Sequence, residues 1–204
     1  MNRIVTHPAR TYRSQLRAQQ ADETRARILD ATARVMAAGI ASVSVPAVAR
    51  EAAVSVPTIY RHFATKGDLI AAVYPHLERR AGLHRPVPPR SVDELRDSVR
   101  AYFDHVDSFD DLARAAMASP ASEEARRMSM PDRVAMFRQL AESIVPGLSE
   151  VDRDRITRLL VILTTSSSMR MWRDHLGSSV DEAADDVDWV VRAAIAASQA
   201  KSER

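Results

Sequence analysis

Apolar residues recur at spacings of three and four along most of the chain, the period of a helix with one buried face. No segment alternates long enough to be a strand, so the expected fold is all-α. The first predicted helix runs from Asp22 to Gly39, with Ile28, Thr32, Val35, Met36 and Gly39 along one face. Asp22 suits its cap and Gly39 its carboxy-terminal end. Three short helices follow. Ser44 caps one carrying Val45, Val48 and Ala49, and Ala52-Ala53-Val54 makes a tight turn. Ser55 caps a second with Val56, Ile59 and Phe63 on one stripe. Thr65 caps a third, with Asp68 three residues on and Leu69, Val73 and Leu77 continuing towards Arg80. Pro75 lies inside that last helix. It has no N–H and its ring clashes with the Ala71 carbonyl, which predicts a kink or break near Tyr74.

The stretch from Gly82 to Arg90 breaks the helical pattern with three prolines and reads as an extended linker. Beyond it, Ser91 to Glu94 has the spacing of a capping box. Val92, Leu95, Val99, Phe103 and Val106 then keep one face to about Phe109. A short helix is expected over Leu112 to Ala118, and a mostly loop segment over Ser119 to Met130. A helix with Pro131 in its first turn follows, and Pro146-Gly147 stops it. A long helix is expected from Ser149 to His175, closed by Gly177, and a last one behind the Ser179–Glu182 capping box. The division is therefore a flexible basic arm (1–21), a domain of short helices (22–80), a linker (81–90) and a second helical domain (91–204).

Charge sharpens that division. The formal net charge is only +2. Residues 1–80 nevertheless hold 12 Lys and Arg against 6 Asp and Glu, and residues 81–204 hold 17 against 21. A basic module beside a mildly acidic body is the electrostatic footprint of nucleic-acid binding. The arm contains Arg3, Arg10, Arg13 and Arg17 and no acid, a composition able to enter a minor groove. The absence of cysteine excludes disulfides and thiolate metal sites. No apolar run approaches a membrane span and no signal core precedes the first helix, so a cytoplasmic protein is expected.

A helix, a short turn and a second helix can set the second one in the DNA major groove. The segment Ser55–Phe63 is too short to be stable alone, so its apolar side must lie on neighbours. Its other side then presents Pro57, Thr58, Tyr60, Arg61 and His62. Arg61 is able to bond guanine O6 and N7. Thr58 and Tyr60 carry hydroxyls suited to phosphate oxygens. Lys66, in the first turn of the next helix, sits unfavourably against the helix dipole unless an anion is close.

The run Ala49-Arg50-Glu51-Ala52-Ala53-Val54-Ser55, then Thr58-Ile59-Tyr60-Arg61-His62-Phe63, then Lys66 and Leu69, resembles the DNA-binding signature of TetR-family transcriptional regulators. The likeness covers roughly residues 22 to 75. It implies an all-α homodimer whose helix-turn-helix domains bind a palindromic operator. It also implies a divergent helical domain that binds a small-molecule effector and dimerises, here through the last two helices. By position, Ser44, Ser55, Thr58, Tyr60, His62 and Lys66 correspond to DNA-contacting places, mostly on phosphates. Val56, Pro57 and Arg61 correspond to places facing base edges. Two positions depart from the pattern. Ala53 stands where a turn glycine is usual, at a cost of about 1 kcal/mol. Pro57 replaces a small or polar residue and offers no N–H, only apolar contact with a thymine methyl.

Other chemistry finds little support. No cofactor motif, catalytic triad or zinc spacing is present. Asp104, His105, Asp107, Asp110 and Asp111 form the one acidic cluster with a histidine. On a continuous helix, Asp104, Asp107 and Asp111 would share a side, which keeps a metal-dependent helical enzyme as one alternative. A helical adaptor whose hairpin binds protein is the other. If the second domain holds a ligand, Tyr102, Phe103, His105, Met117, Phe137, Thr164 and Trp172 are the candidate contacts, and they suit a mostly apolar molecule.

Overall fold

The computed structural model describes residues 8–39, 43–83 and 87–202, and all its regular elements are helical. Residues 1–7 of the expected arm and 84–86 of the linker lie outside the described residues. The chain divides into two compact units, 1–77 with 111–125, and 78–110 with 126–204.

The first unit is built on α1 (Pro8–Ala37), which packs against α2 (Val45–Glu51), α4 (Lys66–Ala71) and α7 (Asp111–Ala118), while α3 (Val56–His62) packs on α2. Ile28, Thr32, Val35 and Met36 are buried as their spacing predicts. Gly39 ends the helix with φ +70°. The helix begins fourteen residues before the expected Asp22 start, so residues 8–21, read as arm, are its first turns. Residues 15–22 are exposed, and with nothing to bury they show no apolar period. They are mostly good helix formers, tied by a Gln19–Glu23 bond of 3.0 Å at i,i+4 spacing.

The predicted break at Pro75 is present. α4 stops before Ala72, and α5 (Val73–Arg80) restarts with Pro75 in its first turn, two residues earlier than Tyr74. α7 returns to the first unit, which the linear division at the linker did not anticipate. Its Ala113, Ala116 and Met117 are buried, and the two alanines permit close approach to α1.

The second unit contains α6 (Leu95–Asp107), the end of α8 (Pro120–Met128) and all of α9 through α12. α9 spans Met130–Ile144, α10 Glu150–Leu163, α11 Ser166–Arg170 and α12 Val180–Ser202. Its core joins Leu95, Val99, Phe103 and Val106 of α6 to Phe137, Ile156, Leu160, Met169, Val187 and Val191. Segment 119–130, expected as mostly loop, is largely α8. Ser119 accepts from the Ser122 amide at 3.2 Å and Pro120 opens the helix. Only Ala121 of α8 is buried, so no apolar stripe announced it.

The long helix expected from Ser149 to His175 is broken. Ser149 caps α10 as predicted, through the Asp152 amide at 3.2 Å. At Thr164 the hydroxyl bonds back to the Leu160 carbonyl at 2.6 Å. Thr165 then forms a capping box with Ser168 and starts α11. Hydroxyl side chains compete for backbone groups in this way, and apolar periodicity does not register it. A π-helical turn over Met171–His175 follows α11. Ser91 caps only a turn: it accepts from the Glu94 amide, while the Glu94 carboxylate takes the Arg90 N–H and α6 starts at Leu95. The Ser179–Glu182 box forms as expected, with Glu182 accepting from the Ser179 amide at 2.8 Å.

Candidate nucleic-acid interface

Each helix of the hairpin starts on a side-chain cap. Ser44 Oγ accepts from the Ala47 amide at 3.2 Å, and Ser55 Oγ from the Thr58 amide at 3.3 Å. Ser55 and Thr58 also share a hydroxyl–hydroxyl bond of 2.9 Å. The turn between them closes with Ala53 N–H on Arg50 O (3.2 Å) and Val54 N–H on Ala49 O (2.9 Å), the two bonds of a Schellman ending. Ala53 has φ +53°, the left-handed conformation its position requires.

The caps and the core fix which side of α3 is left over. Ile59 is 1% exposed and Phe63 3%. Tyr60 is 50% exposed, Pro57 and Arg61 are exposed, and Val56, Thr58 and His62 are half-buried. Val56 thus sits at the margin between the buried stripe and the open side. Ser44 and Ser55 are exposed at the helix starts, and Lys66 is half-buried in the first turn of α4. There the Asp68 carboxylate takes the Thr65 N–H (2.9 Å) and the Asp68 amide is held by Thr65 Oγ1 (3.0 Å). The Thr65 and Asp68 amides at that helix start are therefore engaged, and the Lys66 ammonium supplies the full positive charge there.

At the other end of α3, Arg25 of α1 donates from Nη1 to the His62 carbonyl at 2.9 Å. Its guanidinium carbon lies 4.2 Å from the centroid of the Phe63 ring. Burial, then the Arg61 and Arg25 charges, hold the His62 imidazole below its ordinary range. His62 is accordingly neutral near pH 7 and presents a dipole rather than a charge.

Residues 28–73 match the family model described as bacterial regulatory proteins, tetR family. That segment is similar to the DNA-binding domain of TetR-family regulators. The match supports a DNA-binding regulator. Two solved structures of BioQ are similar, one of them from Mycobacterium smegmatis. Each is 24% identical with a TM-score of 0.48; one match covers 84% of this chain and 94% of BioQ, the other 85% and 96%. A third, BioQ with its natural double-stranded DNA operator, is 25% identical over 79% of this chain and 95% of that one, with a TM-score of 0.45. No curated protein matches the chain.

The TetR-type hairpin brings Ser55, Val56, Pro57, Thr58, Tyr60, Arg61 and His62 together within α3 and its cap, with Ser44 and Lys66 on the flanking helices. The side chain that residue patterns missed is Arg25. It lies one turn before Ile28 and Leu29 on α1, and its partners are 37 residues away, so no local spacing marks it.

The acidic cluster does not assemble as the enzymatic alternative needs. α6 ends at Asp107 and Asp111 opens α7, so no continuous helix aligns Asp104, Asp107 and Asp111. Asp107 pairs with Arg173, Asp110 with Arg80 at 2.7 Å, and Asp111 with Arg114. His105 is buried instead against Glu78, 3.1 Å from its Oε1, edge-on to Phe109. Among the described residues no group of His, Asp and Glu could hold a metal ion.

Of the candidate ligand contacts, Phe103 and Phe137 belong to the second core, and Tyr102 and Trp172 pack on its margin. Thr164 uses its hydroxyl on Leu160. Met117 is buried on α7 in the first unit, apart from that core group in the division of the chain. No helix among the described residues is long and apolar enough to cross a membrane.

Proposed function

We propose that the protein is a cytoplasmic repressor that binds a palindromic operator as a homodimer and is released by a small, mostly apolar molecule. One observation carries the DNA part. α3 buries Ile59, its cap residue Phe63 is buried with it, and Pro57, Tyr60 and Arg61 are left open, a side with base-reading and phosphate-binding groups. Arg61 and Val56 with Pro57 face base edges in this reading. Ser44, Ser55, Thr58, Tyr60, His62 and Lys66 take phosphates and fix the register. Neutralising phosphates releases counterions, so binding falls steeply with salt.

The dimer reading is supported by the carboxy-terminal helices. Trp189 on α12 is 71% exposed and Ile162 on α10 is 65% exposed. Ala193 and Ala197 extend the open side of α12 with small residues that permit close helix approach. Two helices from each copy would pair about a two-fold axis, which matches the symmetry of two operator half-sites. The effector would insert among the helices of the second unit beside Tyr102 and Trp172, which pack on the margin of the core that holds Phe103 and Phe137, and this mostly apolar lining would set its chemical class.

Selection of bound sequences from random duplex DNA with the full-length protein tests the proposal. The expected result is an enriched inverted repeat with half-sites about one helical turn, or a multiple of it, apart. Enrichment of no sequence would overturn it.

A further inference from the structure

We infer that Arg25 is a positioning residue for sequence reading: from α1 it fixes the carboxy-terminal end of α3 and so sets where Arg61 and Tyr60 meet the bases. The inference rests on the DNA-binding function and concerns a residue that makes no DNA contact itself.

α3 has seven residues, and of these only Ile59 is fully buried. A single buried anchor leaves a short rod free to pivot, so its ends must be held. Ser55 holds the start. At the far end the chain leaves the helix at Phe63 in an extended conformation, φ −139° and ψ 118°. Carbonyls of a last turn have no helical partner, and a cation there is also favoured by the helix dipole. Arg25 supplies both, with an N–H on the His62 carbonyl and its guanidinium face over the Phe63 ring. It projects from the same side of α1 as Ile28, Leu29 and Thr32, three, four and seven residues on, which are buried. The clamp is thereby mounted beside the buried part of α1. Its guanidinium engages the His62 carbonyl and the Phe63 ring, and it is half-buried, unlike exposed Arg61 one residue before the carbonyl it holds. Bidentate base contacts tolerate only about 0.5 Å of misplacement, so loosening this end costs sequence reading before it costs charge attraction.

The test uses full-length protein, a duplex selected by the wild type from random sequence, and an unselected duplex of the same length. Arg25→Ala should weaken binding to the selected duplex about tenfold or more, the worth of a charge-assisted hydrogen bond. Binding to the unselected duplex and the slope of log affinity against log salt should not change. Arg25→Lys, which keeps the charge and a donor but loses the flat face over Phe63, should recover part of the loss. If both duplexes weaken together and the salt slope flattens by about one unit, Arg25 is a phosphate contact and the inference is wrong. A lower melting temperature with both affinities unchanged would reduce it to a stabilising residue and overturn the inference equally. Should the alanine variant not fold, the lysine variant carries the test alone, with a several-fold loss expected on the selected duplex only. A wild type that enriches no duplex at all removes the DNA reading, and this inference with it.

Discussion

α3 and α12 are built in nearly opposite ways. α3 has seven residues and depends on caps at its start and on Arg25 at its end. α12 has twenty-three residues and a buried row of Ala183, Ala184, Val187, Val191 and Ile195. What each leaves uncovered differs as well. α3 shows solvent a guanidinium, a phenol and a proline, whereas α12 shows it a tryptophan and alanines along 189, 193 and 197, with Asp185, Asp186 and Arg192 exposed around them. Burial inside each unit follows the same rule, so the contrast lies in the partners. An open polar and cationic side suits a charged polymer. Open carbon on a helix that already has a full core suits another helix.

α3 is the more easily undone of the two helices, since it has one fully buried side chain. Ile59→Ala should destabilise the first unit by about 2–5 kcal/mol, since the side chain is fully buried and nothing beside it on α3 can fill the space. Denaturant unfolding followed by far-UV dichroism measures it. A change under about 0.5 kcal/mol would mean that α3 is not held by its core side. Trp189→Lys probes the opposite helix. With Trp189 the main exposed anchor, dimerisation should weaken by about 2 kcal/mol or more while monomer stability barely changes. Sedimentation equilibrium across a concentration series reads this, and an unaltered dimer would place the interface elsewhere.

Ala53→Gly should sharpen the picture of the hairpin by stabilising it about 1 kcal/mol, because glycine adopts φ +53° without the Cβ penalty. Its glycine-free turn is a local strain that the rest of the unit overrides. A neutral or destabilising result would indicate that the greater freedom of glycine in the unfolded chain outweighs the relief.

The smallest effect concerns pH. His62 in the free protein sits below the ordinary imidazole value, through burial first and then Arg61 and Arg25. The unfolded chain therefore binds more protons below about pH 6.5, and stability falls as pH drops through that range. A nearby phosphate would act in the opposite sense, raising the imidazole value in the complex. Binding would then take up a fraction of a proton, and affinity should rise as pH falls from about 7 to 6. Isotherms at several pH values check this, and His62→Gln should flatten the dependence. An equal pH dependence in the variant would remove His62 from the contact surface.

Much of the hairpin was legible because its determinants are local. A serine or threonine before an apolar run marks each start, and three- and four-residue spacing marks each buried stripe. Ser44, Ser55, Thr65, Ser149 and Ser179 all cap where predicted. Elements without an apolar face escaped the pattern. The first turns of α1 are a solvated rod, and α8 buries little beyond Ala121. The break at Thr164–Thr165 was missed because periodicity continues through it while hydroxyls redirect the backbone. Placement of α7 in the first unit and the reach of Arg25 to His62 depend on long-range packing, which no window of sequence contains. The supposed acidic site failed for a related reason: a helix ends at Asp107, and the carboxylates find arginines.

The central claim is that the open side of α3 reads base pairs while Lys66 holds the backbone. The most direct measurement compares wild type, Arg61→Ala and Lys66→Ala on a selected and an unselected duplex over a salt series. Arg61→Ala should lose about 1–3 kcal/mol on the selected duplex and narrow the gap between the two. Lys66→Ala should weaken both duplexes evenly and reduce the salt slope by about one unit. Wild-type affinities retained on the selected duplex by both variants would contradict the account.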